Sequence, residues 1–265
     1  MKRKYLVVLA VLAFAGLQSQ ARADTIELGT AGNFAVLAGS TVTNTATPTV
    51  INGGGVGVSP GSSITGFPPG IVTPPFTTHS ADSAAALAQS DLTTAYNTAA
   101  GLTPAQNLTG DDLGSLGAPL TPGVYEFDSS AQLTGTLTLN DEGDPNAQFV
   151  FKIGSTLTTA SNSSVVMAGG GQDPNVFWQV GSSATLGTDT AFEGNILADQ
   201  SITLNTGATI LDGRALAQNG AVTLDSNTIT VPNSVPEPGT MILILIGGGL
   251  LGLPALGKRL RGHSR

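Results

Sequence analysis

Between residues 34 and 230 apolar and polar residues alternate in short runs broken by Gly, Ser and Asn. Alternation with a period of two marks a strand with one buried face, and small polar breaks mark tight corners. The runs also recur. The dipeptide Thr-Leu stands at Thr136, Thr156, Thr185, Thr203 and Thr223, at intervals of 20, 29, 18 and 20 residues. The long interval holds the turn-rich segment Gly169-Gly170-Gly171-Gln172-Asp173-Pro174-Asn175, and removing about nine residues there restores the period. Flanking segments repeat in phase: QFVFKIGSTLTT from Gln148, NVFWQVGSSATLGT from Asn175, GNILADQSITLNT from Gly194 and GRALAQNGAVTLDS from Gly213. Near the start, FAVLAGSTVTNT from Phe34 and VGVSPGSSITG from Val56 echo them. At about 3.3 Å per residue, a repeat of this length suffices for three short sides and their corners. The pattern therefore predicts a mainly β fold, a three-sided parallel β-helix of about seven coils. A sandwich would space its strands more loosely.

One stretch departs from this pattern. HSADSAAALAQSDLTTAYNTAA, from His79 to Ala100, is rich in Ala and lacks Gly and Pro. Ala81, Ala84, Ala88, Leu92, Ala95 and Ala99 fall at the three-to-four spacing of one helix face. Thr78 or Ser80 can cap the start and Gly101 the end. A helix of about 20 residues is roughly 30 Å long, and six coil-to-coil steps of about 4.7 to 4.9 Å reach nearly the same height. One long α-helix is thus expected to lie lengthwise along one side.

The two ends of the chain read as addresses. Lys2, Arg3 and Lys4 precede an apolar run from Tyr5 to Leu17 and the small-x-small site Ala21-Arg22-Ala23, the layout of a secretory signal peptide over residues 1–23. At the other end, residues 241–257 form an apolar stretch just long enough to span a bilayer, followed by Lys258, Arg259, Arg261 and Arg265. Basic residues hold that end in the cytoplasm and leave the preceding chain outside. Immediately before the stretch stand Pro236, Glu237 and Pro238. Tripeptide, apolar span and arginine cluster together resemble the PEP-CTERM sorting signal, here residues 235–265. That resemblance implies an exosortase-type processing enzyme as a partner, membrane insertion before processing, and a secreted product that is released or re-anchored at the cell surface. The domain between the addresses is expected to run from 24 to 234.

Charge narrows the function. Eight of the 10 Lys and Arg lie in the two ends, leaving Lys152 and Arg214, and of the 18 acids only Glu237 lies outside the domain. The domain therefore carries 17 acids against 2 bases, a net of about −15. Nucleic acid is excluded as a partner, since phosphate binding draws its affinity from clustered basic residues. Catalysis has few residues to work with. The domain has one histidine, His79, which reads as a loop or capping residue, and Asp141-Glu142-Gly143-Asp144 lacks the alternating ligand spacing of a calcium loop and reads as a turn. No cofactor, metal or catalytic residue is expected. The chain has no cysteine, so packing and backbone hydrogen bonds must hold it together.

With Leu157, Leu186, Leu204 and Leu224 turned inward, alternation turns Thr156, Thr185, Thr203 and Thr223 outward, with Thr136 extending the row. A second row starts two or three residues later, at Thr159, Thr188, Thr206 and Ser226. Coils stacked about 4.7 Å apart would repeat these hydroxyls as a rigid grid.

ELGTAGNFAVLAGSTVTNT, VGVSPGSSITGFPPG, SDLTTAYNTAA, LTPGVYEF, LTGTLTLN and the coil segments quoted above resemble the microbial ice-binding protein family over almost the whole domain. One departure is Gly53-Gly54-Gly55-Val56-Gly57, where the family more often has Gly-Asp-Ile-Gly. The resemblance implies a discontinuous right-handed β-helix with a long helix alongside, and an ice crystal surface as the partner. Thr159-Ala160-Ser161-Asn162 and Thr206-Gly207-Ala208-Thr209 match the Thr-Ala/Gly-x-Thr/Asn pattern of ice-binding surfaces in parts of that family. The contact residues implied are Thr159, Asn162, Thr188, Thr190, Thr206 and Thr209, in the second row, with the first row left as an ordinary solvated strand face. Two alternatives remain at this point: a cell-surface adhesin or extracellular-matrix protein, for which an irregular threonine surface would serve, and a polysaccharide-acting β-helix enzyme, which would need paired carboxylates or a basic residue in a cleft.

Overall fold

The computed structural model describes residues 26–45, 48–144, 146–168 and 175–232. Both addresses, the tripeptide Pro236, Glu237 and Pro238, and most of the glycine-rich loop lie outside the described residues.

Alternating residues form short strands that pair in parallel, each coil stacking on the next. Seven strands make one flat side, face B, in the spatial order Ala131–Leu133, Leu157–Thr159, Ala184–Leu186, Ile202–Leu204, Val222–Leu224, Thr41–Asn44 and Ser63–Thr65. A 14-stranded sheet wraps the other two sides. It folds where single strands bend. Ala191–Ala198 breaks register between Glu193 and Asn195, at Gly194 with φ +98°, and Thr209–Ala217 bends at Asp212 with φ +47°. The first limb of each bent strand lies on face C and the second on face A of the following coil.

The stacking order differs from the chain order. Val36 pairs with Ala215 on face A and Val42 with Val222 on face B, so the N-terminal coils sit on the last C-terminal coil. From the outermost N-terminal coil, which ends at Thr78–Ser80, the chain returns along helix α1 (Ser83–Gly101) to the opposite end, beside the strand Gly123–Phe127. The coil count, the parallel pairing and the lengthwise helix agree with the sequence pattern. The start of the helix differs from it. Asp82 is the cap, its side chain accepting from the Ala85 amide at 2.9 Å, and Thr78–Ser80 pair as a strand. The buried helix face is accordingly Ala85, Ala88, Leu92, Ala95 and Ala99, with Ala81 and Ala84 exposed.

Apolar residues facing the interior form one continuous core. Trp178 lies between Phe151, stacked at 3.9 Å, and Phe192, and the indole N–H donates to the Glu193 carbonyl at 3.0 Å. A second cluster joins α1 to face A, where Ala88, Leu92, Ala95 and Ala99 pack on Leu37, Val150, Phe177, Leu197 and Leu216. Alanine at these positions allows the helix axis close to the sheet. Two polar ties hold the segment Gly29–Asn33 between the helix and the sheet. Asp91 accepts from the Thr30 amide at 2.7 Å and the Thr30 hydroxyl at 2.6 Å, and these bonds hold its carboxyl below the usual range. Arg214 donates to Gly32 O and Asn195 Oδ1, and burial lowers its guanidinium to about 10.

Candidate functional site

Face A is covered by α1, which among the described residues leaves faces B and C as the two open sides. On face B the register brings Thr158, Thr185, Thr203, Thr223, Thr43 and Thr65 into one cross-strand file, with Gln132 at its end. Two residues earlier on each strand runs a parallel file of Ser130, Thr156, Ser183, Ser201, Ala221, Thr41 and Ser63. Neighbouring strands are about 4.8 Å apart and same-face residues along a strand about 7 Å. The two files thus form a lattice of hydroxyls and small groups with no charged residue among them. Threonine also suits such a surface because β-branching leaves few side-chain rotamers to freeze. Some hydroxyls already touch: Ser130 Oγ lies 2.8 Å from Thr156 Oγ1, and Thr65 Oγ1 donates to Thr43 Oγ1 at 3.4 Å.

This register corrects the sequence-derived rows. Leu157 pairs with Ala184, so Thr158 rather than Thr156 lies in line with Thr185. Thr136 lies on face C, paired with Ser164. A shift of two residues keeps every outward residue outward, so alternation alone could not have detected it.

The six residues assigned to the second row fall in three environments. Thr159 occupies the inward slot that Leu186, Leu204 and Leu224 fill in other coils, and is 3% exposed. Thr190 is 1% exposed. Their hydroxyls meet at 2.8 Å, and the Gly187 amide donates to Thr159 Oγ1 at 2.8 Å. These two therefore close the corner between faces B and C from within, because a hydroxyl placed there can satisfy backbone groups that a leucine cannot. Asn162, Thr188 and Thr206 are exposed on the outside of that corner. Asn162 adopts φ +60° in the left-handed position shared with Asp189 and Gly207, while Thr206 donates to Asp225 Oδ2 at 2.5 Å. Thr209 lies on face C, in register with Ala191 and Thr228. The two carboxylates at this corner, exposed Asp189 and half-buried Asp225, distinguish it from face B.

Face C has different relief. Alongside Thr136, Ser164, Ala191, Thr209 and Thr228 it exposes Val166, Leu211 at 54% and Ile71, with Glu193 between them. Two titratable groups that the sequence singles out have local structural partners. His79 Nδ1 lies 2.8 Å from Asp82 Oδ2 and so supports the helix cap, and Asp141 turns its Oδ1 to the Gly143 amide at 2.9 Å within a tight turn.

Residues 36–230 match a family model described as Ice-binding-like, and residues 234–261 match one described as a PEP-CTERM protein-sorting motif. An ice-binding protein of Nostoc sp. (strain HG1) is 58% identical over 98% of this chain and 97% of its own length. A Colwellia sp. ice-binding protein is 37% identical over 84% of this chain and 90% of its own. Among solved structures, an ice-binding protein from the Antarctic ascomycete Antarctomyces psychrotrophicus superposes with a TM-score of 0.72 at 43% identity, covering 78% of this chain and 98% of that one. The corresponding domain of Shewanella frigidimarina ice-binding protein 1 gives 0.67 at 30% identity, over 78% and 97%.

Proposed function

Since the chain belongs to the ice-binding-like protein family, we propose that it binds ice crystals outside the cell and does so through face B. The observation that carries this reading is the pairing of two hydroxyl files, in register over seven strands, with an uncharged surface. Ice offers a neutral, periodic and undeformable partner. A matching surface must hold water at fixed spacing and must not attract a disordered hydration shell around an ion. The threonine hydroxyl anchors one water, and its methyl group leaves adjacent waters to complete their bonds with one another. Because the stacked coils set the spacing in advance, little conformational entropy remains to be lost on contact.

Asn162, Thr188 and Thr206 border this lattice at the B/C corner, and Thr209 lies beyond it on face C; in this reading they extend the rim of the contact. Thr159 and Thr190 support it from beneath. Antifreeze action and inhibition of ice recrystallisation are the outputs of such adsorption. The sorting motif accords with export and with processing by an exosortase-type enzyme before the product reaches the cell exterior.

Tyrosine scanning separates the two rows. Thr203→Tyr, at the centre of face B, is expected to abolish recrystallisation inhibition, because the ring holds the neighbouring threonines off a flat crystal. Thr206→Tyr at the corner is expected to retain part of it. Both should melt like the parent, since surface substitutions usually shift stability by no more than about 0.5 kcal/mol. Full activity in Thr203→Tyr with loss in Thr206→Tyr would move the contact to the corner.

A further inference from the structure

We infer that Asn44, Thr49 and Asn227 are positioning residues for ice binding, whose buried side chains set the register where the last C-terminal coil meets the first N-terminal coil. The inference rests on the ice-binding reading above and adds residues that never touch ice. Among the described residues, every other pair of neighbouring coils is joined directly by the chain. At this junction the partners are distant in sequence: Val36 lies against Ala215, Val42 against Val222 and Val50 against Thr228. Face B crosses the junction between Thr223 and Thr43, so five of its seven strands lie on one side and two on the other. Parallel ladders and apolar packing do not by themselves hold the files together there. A slip of two residues would keep inward residues inward and still move each threonine out of line.

The B/C end of the junction holds a run of buried polar groups that such a slip would break. Asn44 pairs in register with Leu224 and occupies the inward slot that Leu186, Leu204 and Leu224 fill in other coils. Asn227 and Thr49 stand side by side, one residue before the face C strands, and both are fully buried. The Asn227 side-chain amide donates to the carbonyls of Asn205 and Ala208 at 2.9 Å each, and its Oδ1 accepts from the Asp225 amide. The Asn227 backbone N–H donates to Thr49 Oγ1 at 3.2 Å, Thr49 Oγ1 donates to Asn44 Oδ1 at 2.7 Å, and Asn44 Nδ2 donates to the Gly66 carbonyl at 3.1 Å. The bonds thus run from coil to coil across the junction and beyond it on both sides. Apolar side chains would fill these places without distinguishing one register from another. Buried polar groups fit one register, since any other leaves donors and acceptors unpaired and out of reach of water.

Asn44→Leu in the full chain, kept in mild detergent, separates register from stability. Leucine fits the slot, so the variant is expected to melt at or above the parent's temperature and yet to lose thermal hysteresis several-fold. Thr49→Val should lose hysteresis likewise, and Thr49→Ser, which keeps the hydroxyl, should recover it. Ser163→Ala removes a buried hydroxyl from the same corner between coils that the chain joins directly, and should keep the parental hysteresis. Amide exchange locates the change. In Asn44→Leu and Thr49→Val the amides of Thr45 and Val50, bonded to the Leu224 and Asn227 carbonyls, should exchange faster, with that of Ile202, bonded to Ala221, unchanged. Parental hysteresis in a folded Asn44→Leu chain would overturn the inference, and so would an equal loss in Ser163→Ala. Should either Asn44→Leu or Thr49→Val fail to fold, the other decides. A parent without hysteresis would remove the ice-binding reading, whereas unchanged exchange at Thr45 and Val50 would refute the positioning role whatever the parent does with ice.

Discussion

Faces B and C are made from the same coils by the same parallel ladders, and their inward residues pack into one core. Their outward residues differ. Face B presents hydroxyls and small groups in two complete files, whereas face C mixes threonine with Val166, Leu211, Ile71 and the carboxylate of Glu193. The ladder therefore supplies periodicity to any side that it builds, and periodicity alone does not select ice. Uniform height and absence of charge are what distinguish one side from the other. The core is indifferent to this choice, which is why the two sides can differ so much within a single domain.

The comparison breaks most sharply if charge is moved. Thr185→Glu places one carboxylate in the middle of face B and is expected to eliminate measurable thermal hysteresis, while Leu211→Glu on face C should leave it near the parent value. Both chains should show parental circular dichroism. Equal losses in the two variants would mean that face C also touches the crystal.

A smaller effect is expected beneath the corner. Thr159→Val removes the hydroxyl that accepts from the Gly187 amide and meets Thr190. Leaving such buried groups unsatisfied costs about 1–3 kcal/mol. Chemical denaturation should register this loss, with ice adsorption unchanged at temperatures where the variant is folded. Loss of adsorption at full stability would return Thr159 to the contact surface.

The smallest effect concerns the covered side. Bonds from Thr30 depress the Asp91 carboxyl, and the Ala85 amide followed by His79 depresses that of Asp82. A carboxyl whose folded-state value is lowered stabilises the fold above its unfolded value, here 3.8, and that stabilisation is lost as pH falls through the lower folded value. Asp91→Asn should therefore lower the denaturation midpoint slightly at neutral pH, and the gap from the parent should close in acid below pH 3.8. A gap independent of pH would deny Asp91 that role.

Much of this architecture is legible in the amino-acid order. The recurring alternation yields stacked strands, and the Ala-rich segment yields the helix, because each signal is local. Register is not local. Thr156 and Thr158 both point outward, and it is the stacking of the Gly181-Ser182 corner on Gly154-Ser155, not the Thr-Leu dipeptide, that brings Thr158 beside Thr185. The corner after each face B strand varies in length, from two residues after Leu133 to five after Thr65, so a count of intervals drifts. The inward position of Thr159 has the same origin: a threonine in a leucine slot looks like a surface residue until its partner Thr190 is brought beside it from the next coil. The first row apart from Thr136 lies on face B, and the second divides between corner, interior and, at Thr209, face C.

Insertion of the N-terminal coils beside the last C-terminal coil also has a consequence for biogenesis. Thr45 bonds to the Leu224 carbonyl across 179 residues of chain, so the sheet cannot grow to completion by adding coils in the order of synthesis. Loop closure over such a separation is slow compared with local pairing. As the polypeptide crosses the membrane N-terminus first, its leading coils must wait without their partner until the strand Val222–Leu224 has emerged. By then little more than the sorting tail is still to come, so the lattice on face B becomes continuous only near the end of export. Ice can meet the finished surface only on the far side of the membrane.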